Sequence, residues 1–336
     1  MRQTTGPFQL MLVGLVALVT TVAPSHAQAT CDGLGCVECS TDARCSGFQP
    51  TRRAARWSAT VDAIFLDRSD PSSGILAFNT EEPNERLDAN DFDFGVQPGV
   101  DVSLGCELKS CWGLEIRYFG VNDWDDSQLI STTSDDLLQF NAAPPVFVES
   151  GNSIASTFAS RLHNAEVNIT HEVCDWLGLL AGFRFLELNE KGLTSLVDAD
   201  SAFAYGVTTS NQLYGGQLGA ITSLWCSECF QIDAVAKAGI YGNHSQHDGL
   251  LATNAATVVA RGSDDRTAFI GEIALTGSAC ITRCLKLRGG YRLLWLDEVA
   301  LATDQLAVTN FNDGVGYHGS GDVFYHGAFA GIELCH

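Results

Sequence analysis

Residues 92–104 read FDFGVQPGVDVSL, and this stretch decides the fold. Phe92, Phe94, Val96, Pro98, Val100, Val102 and Leu104 fall on one face of an extended chain. Asp93, Gly95, Gln97, Gly99, Asp101 and Ser103 fall on the other. One face is wholly apolar and the other is polar or glycine, the period of two that a β-strand imposes. A sandwich strand is usually about five or six residues long. A run more than twice that length points to a barrel.

The pattern recurs outward from this stretch in both directions. Trp57, Ala59, Val61, Ala63 and Phe65 oppose Ser58, Thr60 and Asp62. Leu114, Ile116 and Tyr118 oppose Glu115 and Arg117. Phe230, Ile232, Ala234, Ala236, Ala238 and Ile240 oppose Gln231, Asp233 and Lys237. Phe269, Gly271, Ile273 and Leu275 oppose Glu272 and Thr276, and Leu285, Leu287, Gly289, Tyr291, Leu293 and Trp295 oppose Lys286, Arg288 and Arg292. Segments near 158–171, 177–188, 213–225 and 322–334 alternate less cleanly, and their faces stay unassigned.

Short connections alternate with long ones. The short ones fall at 106–111, near Cys174, at 226–229 and at 280–284; the long ones at 67–90, 122–156, 189–212, 242–266 and 297–320. The expected fold is all-β: a transmembrane antiparallel up-and-down β-barrel of about ten strands, with short periplasmic turns and long extracellular loops. A further hairpin hidden in 122–156 would raise the count to about twelve. Trp57, Trp112, Trp176 and Trp225 fall towards the short-turn ends, and Tyr118, Trp124, Tyr241 and Trp295 towards the long-loop ends. That is the spacing of two interfacial girdles.

The start of the chain reads as an export signal. Arg2 precedes the apolar run Leu10 to Ala23, and Ser25-His26-Ala27 or Ala27-Gln28-Ala29 supplies small residues for cleavage. The run is short for a membrane helix, which needs about 20 residues. The expected organisation is a signal peptide at 1–29, a Cys-rich periplasmic segment at 30–55 and an outer-membrane barrel at 56–336. Acids outnumber bases 40 to 19, for a net charge of -21. That balance argues against nucleic acid as a partner. The expected partners are outer-membrane lipid and the barrel-assembly machinery.

The chain has 12 cysteines. In an exported protein these read as disulfides rather than metal ligands. Cys106 with Cys111, Cys226 with Cys229, and Cys280 with Cys284 bracket three short turns and are expected to staple them. The connectivity of Cys31, Cys36, Cys39, Cys45, Cys174 and Cys335 stays open. The Cys226–Cys229 spacing could also be redox-active, but that role wants a helix N-terminus, and here it joins two strand-patterned segments.

The strings AGFRFLELNE (181–190), YGGQLGA (214–220), AKAGIYGN (236–243), GYRLLWLDEVALATDQL (290–306) and YHGAFAGIEL (325–334) resemble a planctomycete outer-membrane family, the putative β-barrel porins. The resemblance spans roughly 55–335. It implies a fold and a location, and it brings no catalytic or binding residues. The chain departs from ordinary outer-membrane proteins by ending Leu334-Cys335-His336, without a terminal aromatic residue.

The face opposite the apolar one carries Asp62, Asp93, Asp101, Glu115, Arg117, Asp233, Lys237, Glu272, Lys286, Arg288 and Arg292. In a barrel these line the lumen, where charges either pair or meet water. About ten strands lies nearer the side-chain-filled barrels than the open porins. The expected function is passive diffusion of small solutes or ions through a narrow charged lumen. The alternative is a structural or adhesive barrel without transport. Loop residues such as Asp125-Asp126, Asp135-Asp136, His244 with Ser245, and His247-Asp248 set no nucleophile beside a base at a telling spacing. No catalytic residue, metal or cofactor is therefore expected.

Overall fold

The computed structural model describes residues 56–335 except 72–73, 81–85, 109–110, 132–137, 141–145, 149–152, 198–202, 228, 254–255, 283 and 309–319. The expected signal peptide and the cysteines at 31, 36, 39 and 45 lie outside the described residues.

Ten strands close into an antiparallel ring. They are β1 (Arg56–Arg68), β4 (Val96–Glu107), β5 (Trp112–Ser131), β8 (Ser153–Cys174), β9 (Leu177–Val197), β10 (Ala204–Cys226), β11 (Phe230–Ala252), β12 (Thr257–Cys280), β13 (Leu285–Val299) and β14 (Gly321–Cys335). Each pairs with its sequence neighbour in the ring, and β14 closes on β1 with Ala63 opposite Ala330. The hairpin foreseen in 122–156 exists but stays out of the ring. β6 (Leu138–Phe140) and β7 (Val146–Val148) join β2 (Ile75–Asn79) and β3 (Arg86–Asp88) in a separate four-stranded sheet.

Outward-facing apolar side chains form a continuous band. On β11 it runs from Phe230 through Ile232 to Ile240 and on β9 from Leu179 through Phe183 to Phe185, most of them exposed. The ten steps from Phe230 to Ile240, tilted as barrel strands are, give a height of roughly 25 Å, the thickness of an outer-membrane apolar belt. Trp57, Trp112, Trp176 and Trp225 are exposed at the short-turn edge of this band. At its other edge Tyr118 bonds His163 at 2.9 Å and Tyr291 bonds His326 at 2.7 Å, so each polar tip is satisfied on an apolar surface. Trp124 and Tyr241 depart from the expected girdle. Both are buried inside the barrel.

Two further expectations are corrected. The long connections foreseen at 189–212 and 242–266 are mostly strand. β9 pairs with β10 from Leu177↔Thr222 to Ser195↔Ala204, and β11 with β12 out to Ala252↔Thr257. These two hairpins rise well beyond the apolar band, where their outer faces turn polar. The first face of 92–104 is also not uniform. Gly95 takes a φ of +54°, a conformation that favours glycine, and it resets the alternation. The strand begins at Val96, while Phe92 and Phe94 turn inward and pack with tilted rings against Phe158 inside the outer mouth.

Candidate functional site

The lumen is built in two storeys. The lower storey, within the apolar band, is a layer of charge. Arg117 on β5 bonds Asp101 at 2.8 Å, Glu166 at 3.1 Å and Glu272 at 2.8 Å. Arg184 on β9 bonds Glu166 at 2.9 Å and also bonds Glu272. Lys237 reaches Glu166 at 2.8 Å, and Arg292 reaches Asp101 at 2.5 Å and Glu272 at 3.4 Å. Asn168 and Gln217 each donate to Glu166. All nine side chains are buried.

Strand order turns these contacts into a statement about bore. β5 and β12 lie five places apart in a ring of ten, on opposite walls. The Arg117–Glu272 bond therefore crosses the full diameter. Buried charges need both pairing and hydrogen bonds to offset lost hydration, and this layer supplies both. Nearer the short-turn end, Arg288 forms an ion pair with the buried Asp62 at 3.3 Å, and Lys286 bonds Glu333 at 3.3 Å, a pair more open to water. Glu115 accepts from Asn168, and Asp233 accepts from Ser223 and Gln231.

The upper storey is largely apolar. Phe119 and Phe329 lie directly over Arg292, with ring centroids at 5.3 and 5.5 Å from its guanidinium carbon. Above them Leu162, Leu188, Leu294, Leu296, Trp124 and Tyr325 are buried. One ion pair sits among them, Arg68 with Glu190 at 2.5 Å. The chain after β13 folds into this space. Asn211 donates to the Ala300 carbonyl at 2.8 Å and accepts from its N–H at 2.7 Å. Asn243 donates to the Glu298 carbonyl at 3.0 Å. Glu190 accepts from Ala302 N–H at 3.0 Å at the start of a short helix, α1 (Ala302–Val308). Glu298 takes a φ of +60° as the chain makes this turn.

Ten of the eleven residues foreseen in the lumen point into it. Asp93 does not. It precedes β4, is exposed, and its N–H bonds Asp126 at 3.0 Å, because Gly95 has already turned the chain over the rim. Glu166, Arg184, Arg68 and Glu190 were not foreseen. The alternation Arg161-Leu162-His163-Asn164-Ala165-Glu166 does carry the signal once the inward set of Leu162, Asn164 and Glu166 is recognised.

None of the three expected hairpin staples is present in the structure. Cys106, Cys229, Cys280 and Cys284 carry free thiols, so neither Cys111 nor Cys226 is bonded to its hairpin neighbour. Register is the reason. Cys106 stands opposite Leu114, Cys226 opposite Gln231 and Cys280 opposite Lys286. The second cysteine of each pair falls in the turn instead of across from the first.

Among the loop candidates, His244 bonds Asp265 at 2.7 Å on the outer surface. The adjacent Ser245 faces the other side of the strand and donates to the Asp264 carbonyl.

A family model described as putative beta barrel porin-7 matches residues 121–313. No curated protein matches the chain. Similar solved structures include the outer membrane protease OmpT of Escherichia coli, at 11% identity and a TM-score of 0.49, covering 84% of this chain and 99% of that one. The P. putida toluene transporter TodX has 10% identity and a TM-score of 0.31, covering 86% and 90%. The translocator domain of the autotransporter NalP from Neisseria meningitidis has 10% identity and a TM-score of 0.32, with the same coverage of 86% and 90%. At these scores none of the three carries an activity across.

Proposed function

Because the chain belongs to the putative beta barrel porin-7 family, we propose that it is an outer-membrane porin-type barrel whose path for small ions or solutes is shut at rest. The observation that carries this reading is the Arg117–Glu272 bond, which spans the lumen between opposite walls. Passage requires the charge layer to part. The outward apolar band meets lipid in this reading, and the assembly machinery inserts the barrel after export. No catalytic step is assigned, since His244 and Ser245 lie on opposite faces of β11.

Planar-bilayer recording tests the reading. The wild-type barrel should give a quiet baseline with rare, small openings. Glu272→Ala with Glu166→Ala should raise open probability at least tenfold, with heat-modifiable gel migration confirming that the variant is folded. Steady conductance from the wild type would overturn it.

The apolar upper storey favours a second reading, a structural or adhesive barrel without transport. A folded double variant that stays silent at every voltage would select it.

A further inference from the structure

Four cysteines lie side by side at the short-turn rim, beyond the ends of the charge layer. Their placement follows from the ladders. Phe230 stands opposite Ala279, so the next pair outward along β11 and β12 is Cys229 with Cys280. Leu285 stands opposite Leu334, so the next pair along β13 and β14 is Cys284 with Cys335. Backbone bonds fix both pairs. Cys280 N–H donates to the Cys229 carbonyl at 2.8 Å, and Cys335 N–H donates to the Cys284 carbonyl at 2.9 Å.

These are hydrogen-bonded antiparallel pairs, whose Cα atoms stand about 5.5 Å apart. A disulfide takes Cα separations of about 4.4–6.8 Å, most often near the middle of that range. Directly opposed residues also send their side chains to the same face. Cys280 shares the phase of Glu272 on β12, and Cys284 that of Lys286 on β13, so both pairs face the lumen mouth. The thiols of Cys229 and Cys280 are exposed.

We propose that Cys229–Cys280 and Cys284–Cys335 are disulfides in the mature protein, joining neighbouring hairpins around the rim instead of stapling single turns. The periplasm that the rim faces is an oxidising compartment. The oxidant is a protein dithiol/disulfide oxidase of that compartment. The Cys229 thiolate attacks the oxidase disulfide and forms a mixed disulfide while one oxidase sulfur leaves as thiolate. The Cys280 thiolate then attacks the Cys229 sulfur, and the second oxidase sulfur leaves. The barrel loses two electrons and two protons, and the oxidase is released as its dithiol. The same exchange serves Cys284 and Cys335.

Peptide mapping of the full-length protein tests the connectivity. The protein is extracted from outer membranes without reductant, blocked with N-ethylmaleimide, and cut with trypsin and a Glu-specific protease. Glu228 separates Cys226 from Cys229, and Arg283 separates Cys280 from Cys284, so all four proposed partners fall on different peptides. The expected products are CFQIDAVAK linked to IALTGSACITR, and CLK linked to LCH. Cys229→Ser should turn Cys280 from unlabelled to fully maleimide-labelled while leaving the CLK–LCH link intact. Recovery of Cys226 linked to Cys229 or Cys280 linked to Cys284, or of the four cysteines as maleimide adducts, would overturn the proposal.

Discussion

Glu272 holds three cations at once: Arg117, Arg184 and Arg292. Removing its charge leaves four buried cations, Arg117, Arg184, Lys237 and Arg292, with only Asp101 and Glu166 to balance them. Breaking such a pair costs about 3–5 kcal/mol. Glu272→Gln should lower the urea midpoint of the folded gel band accordingly, whereas Asp265→Asn on the exposed outer surface should move it little. Gly271 is constrained from outside. A Cβ there would run into the Trp295 indole, which lies across it. Gly271→Ala should cost about 1–3 kcal/mol through overpacking, read in the same unfolding assay. The rule that outer residues are greasy and inner ones polar was legible for Asp62, Asp101, Arg117 and Glu272, because their strands alternate cleanly. It failed for Glu166 and Arg184. Above the apolar band the rule inverts, with Leu162, Leu186 and Leu188 inside and Arg161, Glu187 and Lys191 outside. One strand therefore presents both patterns in sequence, and neither dominates.

At the level of elements, the latch on the chain after β13 is the part most open to manipulation. It hangs on three inward side chains, Asn211, Asn243 and Glu190. Asn211→Ala with Glu190→Gln should raise amide exchange of residues 298–305 by more than tenfold, measured by hydrogen exchange in detergent, with β11 and β12 protection unchanged. Nothing in the sequence advertised this element. Its helix is seven residues long, and its anchors, two amides and a carboxylate, stand on three adjacent strands, β9 to β11, far from it in sequence. The hairpin β9–β10 was half legible. Its lower part shows lipid-type alternation, but its upper part is polar on the outside, a composition that in sequence does not differ from loop.

For the molecule as a whole, the band and the two-storey lumen divide the tryptophans by environment. In single-tryptophan variants, brominated lipid should quench Trp57, Trp112 and Trp225 strongly and leave Trp124, buried in the upper storey, nearly untouched. Equal quenching of all four would place the band wrongly. Ring closure, strand count and the side that carries short turns were readable from period and loop length alone. The cysteine connectivity was not, because it depends on register, and register is fixed by contacts between strands that the linear order of residues does not display.

The wall of the barrel is uneven. β1, β4, β13 and β14 are 12–15 residues long, while β8 to β12 run to 21–24. From Phe185, where the unbroken apolar run on the outer face of β9 ends, to Val197 at its tip is a climb of roughly 30 Å. A peptide epitope grafted between β9 and β10 would thus be carried clear of the leaflet on a stiff paired stalk, within reach of antibodies on intact cells, whereas the same graft between β13 and β14 would sit low against the membrane.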